Sequence, residues 1–241
     1  MNHPNLYVVG GAVRDLLLFQ GKVKSSDVDF VLETNSWEEL MEYVKDCKYH
    51  VYTSNPEYGT VKVKMEGGPA DISIMNGNYL EEDLKRRDFT INAMAIKVGE
   101  TDSFRALYDP LNGAEDLRRG VIRMCSREAF KRDPIRILRM FRFSYMLGAK
   151  GMRGSLLDSD TLQEAKTTAH TLEYEQSKLF SREKTLKAPT AERVVQELNK
   201  IFKILPTMSQ RSNFLGRGEV EPFLTIPGVD LKFIATPLDK Q

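Results

Sequence analysis

The chain has 241 residues, 35 Lys and Arg against 34 Asp and Glu, and 41% hydrophobic residues. That length holds one large domain or two modest ones with a real core, and the net charge of +1 excludes a global basic field, so nucleic acid would have to be met by a local patch. No apolar run reaches membrane-span length, no basic segment followed by an apolar stretch opens the chain as a secretory signal would, and two cysteines with no framework fit a reducing, cytoplasmic location.

In chain order, residues 6–9 read as a short apolar strand running into Gly10-Gly11, and 12–19 as a helix with Val13, Leu16 and Leu17 on one side. A strand, a double glycine and a helix N-terminus make an anion site: the backbone approaches closely and free N–H groups face the ligand. Arg14, one turn into the helix, can bring its guanidinium fork to a phosphate, with Asp15 bracing it or capping the turn. The plain alternative is a tight turn with a surface arginine.

A polar loop, 20–26, leads to a second strand, 28–32, whose apolar residues mark it as buried. Side chains alternate along a strand, so Asp27 and Asp29 share one face, opposite Val28 and Phe30. Two carboxylates this close repel, and a divalent cation removes that cost; paired carboxylates bind Mg²⁺ together with substrate phosphates. A bare pair of this kind is more often a solvated strand end, so the surroundings must decide.

Asn35 and Ser36 are cap candidates for a helix over 37–46. Strands are predicted at 49–53, 60–65 and 70–75, with turns at 55–59 and 67–69. In the last of these, Asp71 and Ser73 share a face, which makes Asp71 a candidate third carboxylate if its strand lies beside the Asp27/Asp29 strand; an exposed strand aspartate is the alternative. Residues 81–92 have helical character, which would put Asp88 and Asn92 on one face beside Arg87. Strands near 93–98 and 104–108, a turn at 109–113 and a short helix over 114–119 complete this half.

From Val121 the pattern becomes helical. Asp133 suits an N-cap and Pro134 the first helical position of a helix reaching Tyr145, with Ile135, Leu138, Phe141 and Tyr145 as an apolar stripe widened by Ile137 and Met140. Arg136, Arg139 and Arg142 recur every three residues, and guanidinium groups on a mostly buried helix need anionic partners: protein carboxylates, or a triphosphate or RNA. Residues 150–155 form a Gly-rich loop, 161–179 a helix or helix pair, and 188–202 open a helix in which Glu192 and Glu197 read as solvated or capping charges. Residues 206–241 are expected to be irregular.

Five motifs in fixed order now resemble a known family: 9–15 (Val-Gly-Gly-Ala-Val-Arg-Asp), 27–29 (Asp-Val-Asp), 86–93 (Arg-Arg-Asp-Phe-Thr-Ile-Asn-Ala), 109–117 (Asp-Pro-Leu-Asn-Gly-Ala-Glu-Asp-Leu) and 133–143. The chain resembles the class II tRNA nucleotidyltransferases and poly(A) polymerases, the CCA-adding enzymes, over residues 5 to about 205. The resemblance implies an α+β fold: a nucleotidyltransferase head with a mixed β-sheet and flanking helices (1–120), a helical neck for base recognition (121–205), and an irregular C-terminal segment, a shortened body (206–241). It implies catalytic, metal-holding Asp27 and Asp29; triphosphate contacts at Gly10, Gly11 and Arg14; nucleotide contacts at Arg87 and Asn92; a hinge motif at Asp109, Gly113 and Asp116; base reading by Asp133 and Arg136; and further nucleotide contacts at Arg139 and Arg142. It implies Mg²⁺, CTP and ATP, a tRNA 3′ end or other RNA as partner, no membrane, and template-independent addition of CMP and AMP. A-adding, CC-adding or polyadenylating chemistry, and nucleotide binding with little turnover, are the other readings. Arg132 stands where the family has Glu, the segment after Asp71 is short, and the family continues beyond residue 241 into body and tail domains.

Overall fold

The computed structural model describes residues 4–19, 28–100, 106–149, 156–177, 188–226 and 229, with the backbone alone for 172–177. Asp27 and the Gly-rich loop 150–155 therefore lie outside the described residues. The chain forms two compact units, Met1–Leu117 and Arg118–Gln241. The second unit takes in the stretches expected as neck and C-terminal segment.

The first unit is a seven-stranded mixed sheet with helices. Its elements are β1 (Leu6–Val9), α1 (Gly11–Leu18), β2 (Val28–Leu32), α2 (Trp37–Asp46), β3 (His50–Asn55), β4 (Thr60–Met65), β5 (Gly68–Ile74), α3 (Leu80–Lys85), a 3-10 turn (Thr90–Asn92), β6 (Ala95–Lys97), β7 (Leu107–Tyr108) and α4 (Gly113–Arg119). The strand order is β3-β4-β5-β2-β1-β6-β7. Only β2 and β5 run parallel; the other neighbours are antiparallel.

Alternation fixes the two faces. Leu6, Leu32, Val61, Val63, Ala70 and Ile72 form one buried cluster with Leu40 and Val44 of α2. Ser36 caps α2 by accepting from the Glu39 N–H at 3.2 Å, Glu38 and Glu39 sit in its first turn and Lys45 in its last, as the helix dipole favours. The opposite face carries the register-matched positions Val9, Asp29 and Asp71. There α1 packs against β1, β2 and the 3-10 turn.

The expected helix over 81–92 is interrupted. It stops at Lys85, and Phe89 is extended (φ −130°, ψ 151°). The cause is local competition: the Asp88 carboxylate accepts its neighbour Phe89's N–H at 2.8 Å, which replaces a helical bond. Downstream, Asp109 accepts from the N–H groups of Gly113 (2.7 Å) and Ala114 (2.9 Å) and so starts α4. A Cβ at Gly113 would collide with the Thr90 carbonyl, so only glycine lets α4 approach the 3-10 turn this closely. The Thr90 hydroxyl donates to Asp116 at 2.8 Å and ties the same two pieces together.

The second unit holds β8 (Val121–Ile122), α5 (Ala129–Arg132), α6 (Arg136–Ala149), β9 (Leu156–Leu157), α7 (Ser159–Ser177), α8 (Ala191–Ile204), α9 (Met208–Leu215) and α10 (Glu221–Leu224), with β8 and β9 paired in parallel. α6 packs on α8 and buries Ile137, Leu138, Met140, Phe141, Phe143 and Leu147. The expected helix start at Asp133-Pro134 becomes a tight turn: Arg136 and Ile137 donate to the Asp133 and Pro134 carbonyls at 3.1 and 3.0 Å before regular helix begins. The expectation of an irregular 206–241 is corrected over 207–226. Thr207 and Gln210 form a reciprocal capping box that starts α9, and Phe214 of that helix meets the rings of Phe141, Tyr145 and Phe202 edge-on at 5.8, 6.1 and 6.3 Å. Composition rich in Pro and Gly hid a helix that is stabilised by its cap and by aromatic packing.

Candidate active site

The site in the first unit is built on the turn between β1 and α1. Gly10 has φ +73°, ψ −135°, a region L side chains rarely enter. A Cβ placed there would lie 3.4 Å from both Arg87 Nη1 and Asp29 Oδ2. The absent side chain thus leaves a gap at a helix N-terminus onto which a carboxylate and a guanidinium converge. Gly11 is the first residue of α1, and its Cβ position lies 3.4 Å from Arg14 Nη2.

Arg87 is held from behind. Its Nε and Nη2 donate to Asp83 Oδ2 at 3.3 and 3.0 Å, and the other oxygen of buried Asp83 accepts the Asn76 N–H at 3.0 Å. Sequence reasoning missed Asp83; its signal was the spacing of four residues before Arg87 on one helical turn.

Arg14 is 9% exposed. Its Nε and Nη2 donate to Asp15 Oδ1 at 3.0 and 2.8 Å, and its Nη1 donates to Asn92 Oδ1 at 2.7 Å. Asn92 in turn donates through Nδ2 to Asp88 Oδ1 at 3.1 Å. The bracing role of Asp15 is therefore present, and Asp88 and Asn92 meet although no continuous helix joins them. The chain Asp88–Asn92–Arg14 is a buried polar network linking the second motif to the first.

Asp29 is exposed, and β5 lies beside β2 with Asp29 and Asp71 as register partners. Paired positions on neighbouring strands share a face, so the condition set for Asp71 is met. Asp71 also pairs with Lys62 Nζ at 3.4 Å. Exposed carboxylate oxygens on one face are the hard donors that Mg²⁺ takes in ones and twos alongside substrate phosphates, so these residues fit such an ion. Among the described residues no group of three or more potential ligands is assembled.

In the second unit, Asp133 accepts from Arg193 Nη2 at 2.7 Å, a half-exposed pair joining the start of α6 to α8. Arg136 donates to the Ala129 carbonyl at 3.2 Å. Arg139 and Arg142 both stack on Phe143, with guanidinium carbons 5.8 and 4.2 Å from the ring centre. Arg142 also forms an ion pair with Glu197, which is 5% exposed and further neutralised by Lys200 at 3.5 Å. Glu197, read from sequence as solvated or capping, is a buried partner instead: α6 packing on α8 closes solvent off from it.

A family model, the poly A polymerase head domain, matches residues 6–123. The chain is 34% identical over 228 residues to the CC-adding tRNA nucleotidyltransferase of Shouchella clausii, covering 93% of this chain and 50% of that protein. It is 42% identical over 163 residues to the A-adding tRNA nucleotidyltransferase of Aquifex aeolicus, covering 62% of this chain and 19% of that protein. Among solved structures, it superposes on the Thermotoga maritima CCA-adding enzyme complexed with tRNA_CCA with a TM-score of 0.70 and 31% identity, covering 91% of this chain and 48% of the other. The chain spans half or less of the length of these proteins. Residues 6–123 match the poly A polymerase head domain, and over most of its length the chain is similar to CC-, A- and CCA-adding tRNA nucleotidyltransferases.

Proposed function

We propose that this chain carries out template-independent nucleotidyl transfer to the 3′ end of tRNA, in the cytoplasm, using CTP and ATP. The observation that carries this reading is the convergence of Asp29 Oδ2 and Arg87 Nη1 over Gly10. A carboxylate for a cation and a guanidinium for a phosphate face one backbone gap at a helix N-terminus, the arrangement a nucleoside triphosphate requires. The relatives' names, CC-adding, A-adding and CCA-adding, support the substrate class.

In this reading Asp27 and Asp29 hold Mg²⁺, with Asp71 beside Asp29; the ion, when bound, would lower the pKa of the attacking hydroxyl and neutralise developing charge. Gly10 and Gly11 let the triphosphate approach the backbone of α1. Arg87, anchored by Asp83, binds a phosphate oxygen, while the Arg14–Asn92–Asp88 network fixes the turn that presents those glycines. The RNA 3′-oxygen forms a bond to the α-phosphorus as the bond from that phosphorus to the bridging oxygen breaks; pyrophosphate departs and the hydroxyl proton passes to solvent. Asp133 and Arg136 read the base edge by accepting and donating hydrogen bonds, and Arg139 contributes a further nucleotide contact. Arg142, paired with Glu197, steadies α6.

The test is incorporation of CTP and ATP into tRNA lacking CCA, CA or A, with pyrophosphate release. Addition of both nucleotides supports CCA addition; CTP alone or ATP alone assigns the CC-adding or A-adding form; long A tracts assign polyadenylation. Nucleotide binding with no pyrophosphate released from any acceptor overturns the reading.

A further inference from the structure

The face of the sheet that bears Asp29 does not end at the candidate active site. Register continues it outward strand by strand: Asp29 pairs with Asp71, Asp71 with Lys62, and Lys62 with Thr53 at the sheet edge. One step along the strands, Lys64 pairs with His50. Paired positions share a face, and the Lys62–Asp71 ion pair at 3.4 Å holds that relation in the side chains. The alternate positions Val61 and Val63 are buried on the other side, so Lys62 and Lys64 are bound to the Asp29 face. A bulge between Val51 and Thr53 inserts Tyr52, whose ring packs edge-on against His50 at 5.4 Å. Lys64 and His50 are exposed, and Tyr52 is 49% exposed. Glu57 and Glu66 sit in the hairpin turns on either side of these strands rather than within the rows.

Resting on the proposed transfer to RNA, we infer that this outer sheet face is the track for the single-stranded acceptor end: Lys64 neutralises a backbone phosphate and Tyr52, braced by His50, stacks on a base. Three inter-strand steps of about 4.8 Å separate β2 from β3, so the track begins roughly 14 Å from Asp29, within the reach of two or three nucleotides. Cations in line with an aromatic platform are what single-stranded RNA requires, because every base has a face to stack and every linkage a charge to screen. The occupant is fixed by continuity with the reaction centre and by charge: outward from Asp71 this face carries Lys62 and then Lys64, which suit a polyanion whose 3′ end must reach Asp29.

The test uses the full chain and a 5′-fluorescein single-stranded RNA 8-mer with a free 3′-hydroxyl, read by anisotropy across a salt series, with CTP binding measured in parallel. Tyr52→Ala is expected to weaken RNA binding about 5- to 150-fold, and Lys64→Ala to reduce the slope of log affinity against log salt by about 0.7. CTP affinity is expected to be unchanged in both, which also shows that the variants fold. Unchanged RNA affinity and slope overturn the inference, as does failure of the wild-type chain to bind the RNA. Concentration-dependent dimerisation lost on mutating Tyr52, with RNA binding unaffected, assigns the β3 edge to self-pairing and equally overturns it. RNA bound through this face with no nucleotide incorporated sinks the transferase reading and leaves the track standing.

Discussion

Arg14 Nη1 donates to Asn92 Oδ1 at 2.7 Å, a bond between residues 78 positions apart that welds the glycine turn to the second motif. Both side chains are buried, so the bond is shielded from water and its loss leaves a charged donor without its acceptor. Asn92→Ala is expected to cost about 1–3 kcal/mol of stability and to raise KM for the nucleotide, measured by urea unfolding and by initial rates. Unaltered stability and KM would reject the bracing role.

Asp29 is exposed and packs no core, so Asp29→Ala is expected to abolish metal-dependent transfer while changing stability by less than about 0.5 kcal/mol. Chelation by EDTA should silence the wild type in the same assay, with Mg²⁺ restoring it. Turnover near wild type in Asp29→Ala contradicts the assignment of this carboxylate.

Gly113 and Asp109 are expected to matter through backbone geometry. Gly113→Ala forces a methyl into the Thr90 carbonyl, at a cost of about 1–3 kcal/mol. Asp109→Ala removes the acceptor for two N–H groups at the start of α4, at about 0.5–2 kcal/mol. Thermal melts of both variants check these values; a Gly113→Ala chain as stable as wild type would mean that α4 can retreat freely from the 3-10 turn.

In the second unit, Glu197→Ala strands the Arg142 guanidinium against a largely buried surface and is expected to cost about 3–5 kcal/mol. Replacing both partners, Arg142→Met with Glu197→Leu, is expected to recover most of that loss. If the double variant adds nucleotide with the wild-type preference among bases, Arg142 serves the packing of α6 on α8. A shifted preference assigns it to the nucleotide instead.

Asp133 tests base reading. Its pair with Arg193 is half-exposed, so Asp133→Ala is expected to change stability by less than about 1 kcal/mol. Incorporation of CTP, ATP, UTP and GTP should nevertheless lose its discrimination. Measurable activity with the same order of preference removes Asp133 from this role.

Strands and helices with a clear period were legible before any coordinates. β1 and α2 fall where a short apolar run and a capping residue place them: the strand buries Leu6 and Val9, and Ser36 offers α2 its first acceptor. The helix expected over 81–92 failed because a side chain, Asp88, outcompeted the backbone ladder, which no periodicity records. α9 was hidden for the opposite reason: its stability comes from the rings of Phe141, Tyr145 and Phe202 gathered around Phe214, and from a cap, rather than from an amphipathic stripe.

The same division holds for the site. Sequence alone determined which residue types were present and which shared a face within one element: Asp29 opposite Phe30, Gly10 and Gly11 before a helix, Asp71 with Ser73. Only the tertiary structure decided that β5 lies parallel to β2 and sets Asp71 beside Asp29, that Asp83 turns Arg87 toward Gly10, and that Glu197 takes Arg142. The physical reason is range. Alternation, capping and backbone preference act over a few residues and are written in local order, whereas strand pairing sets Asp71 beside Asp29, 42 positions away, and burial makes Glu197 take Arg142, 55 positions away, only once the chain has folded.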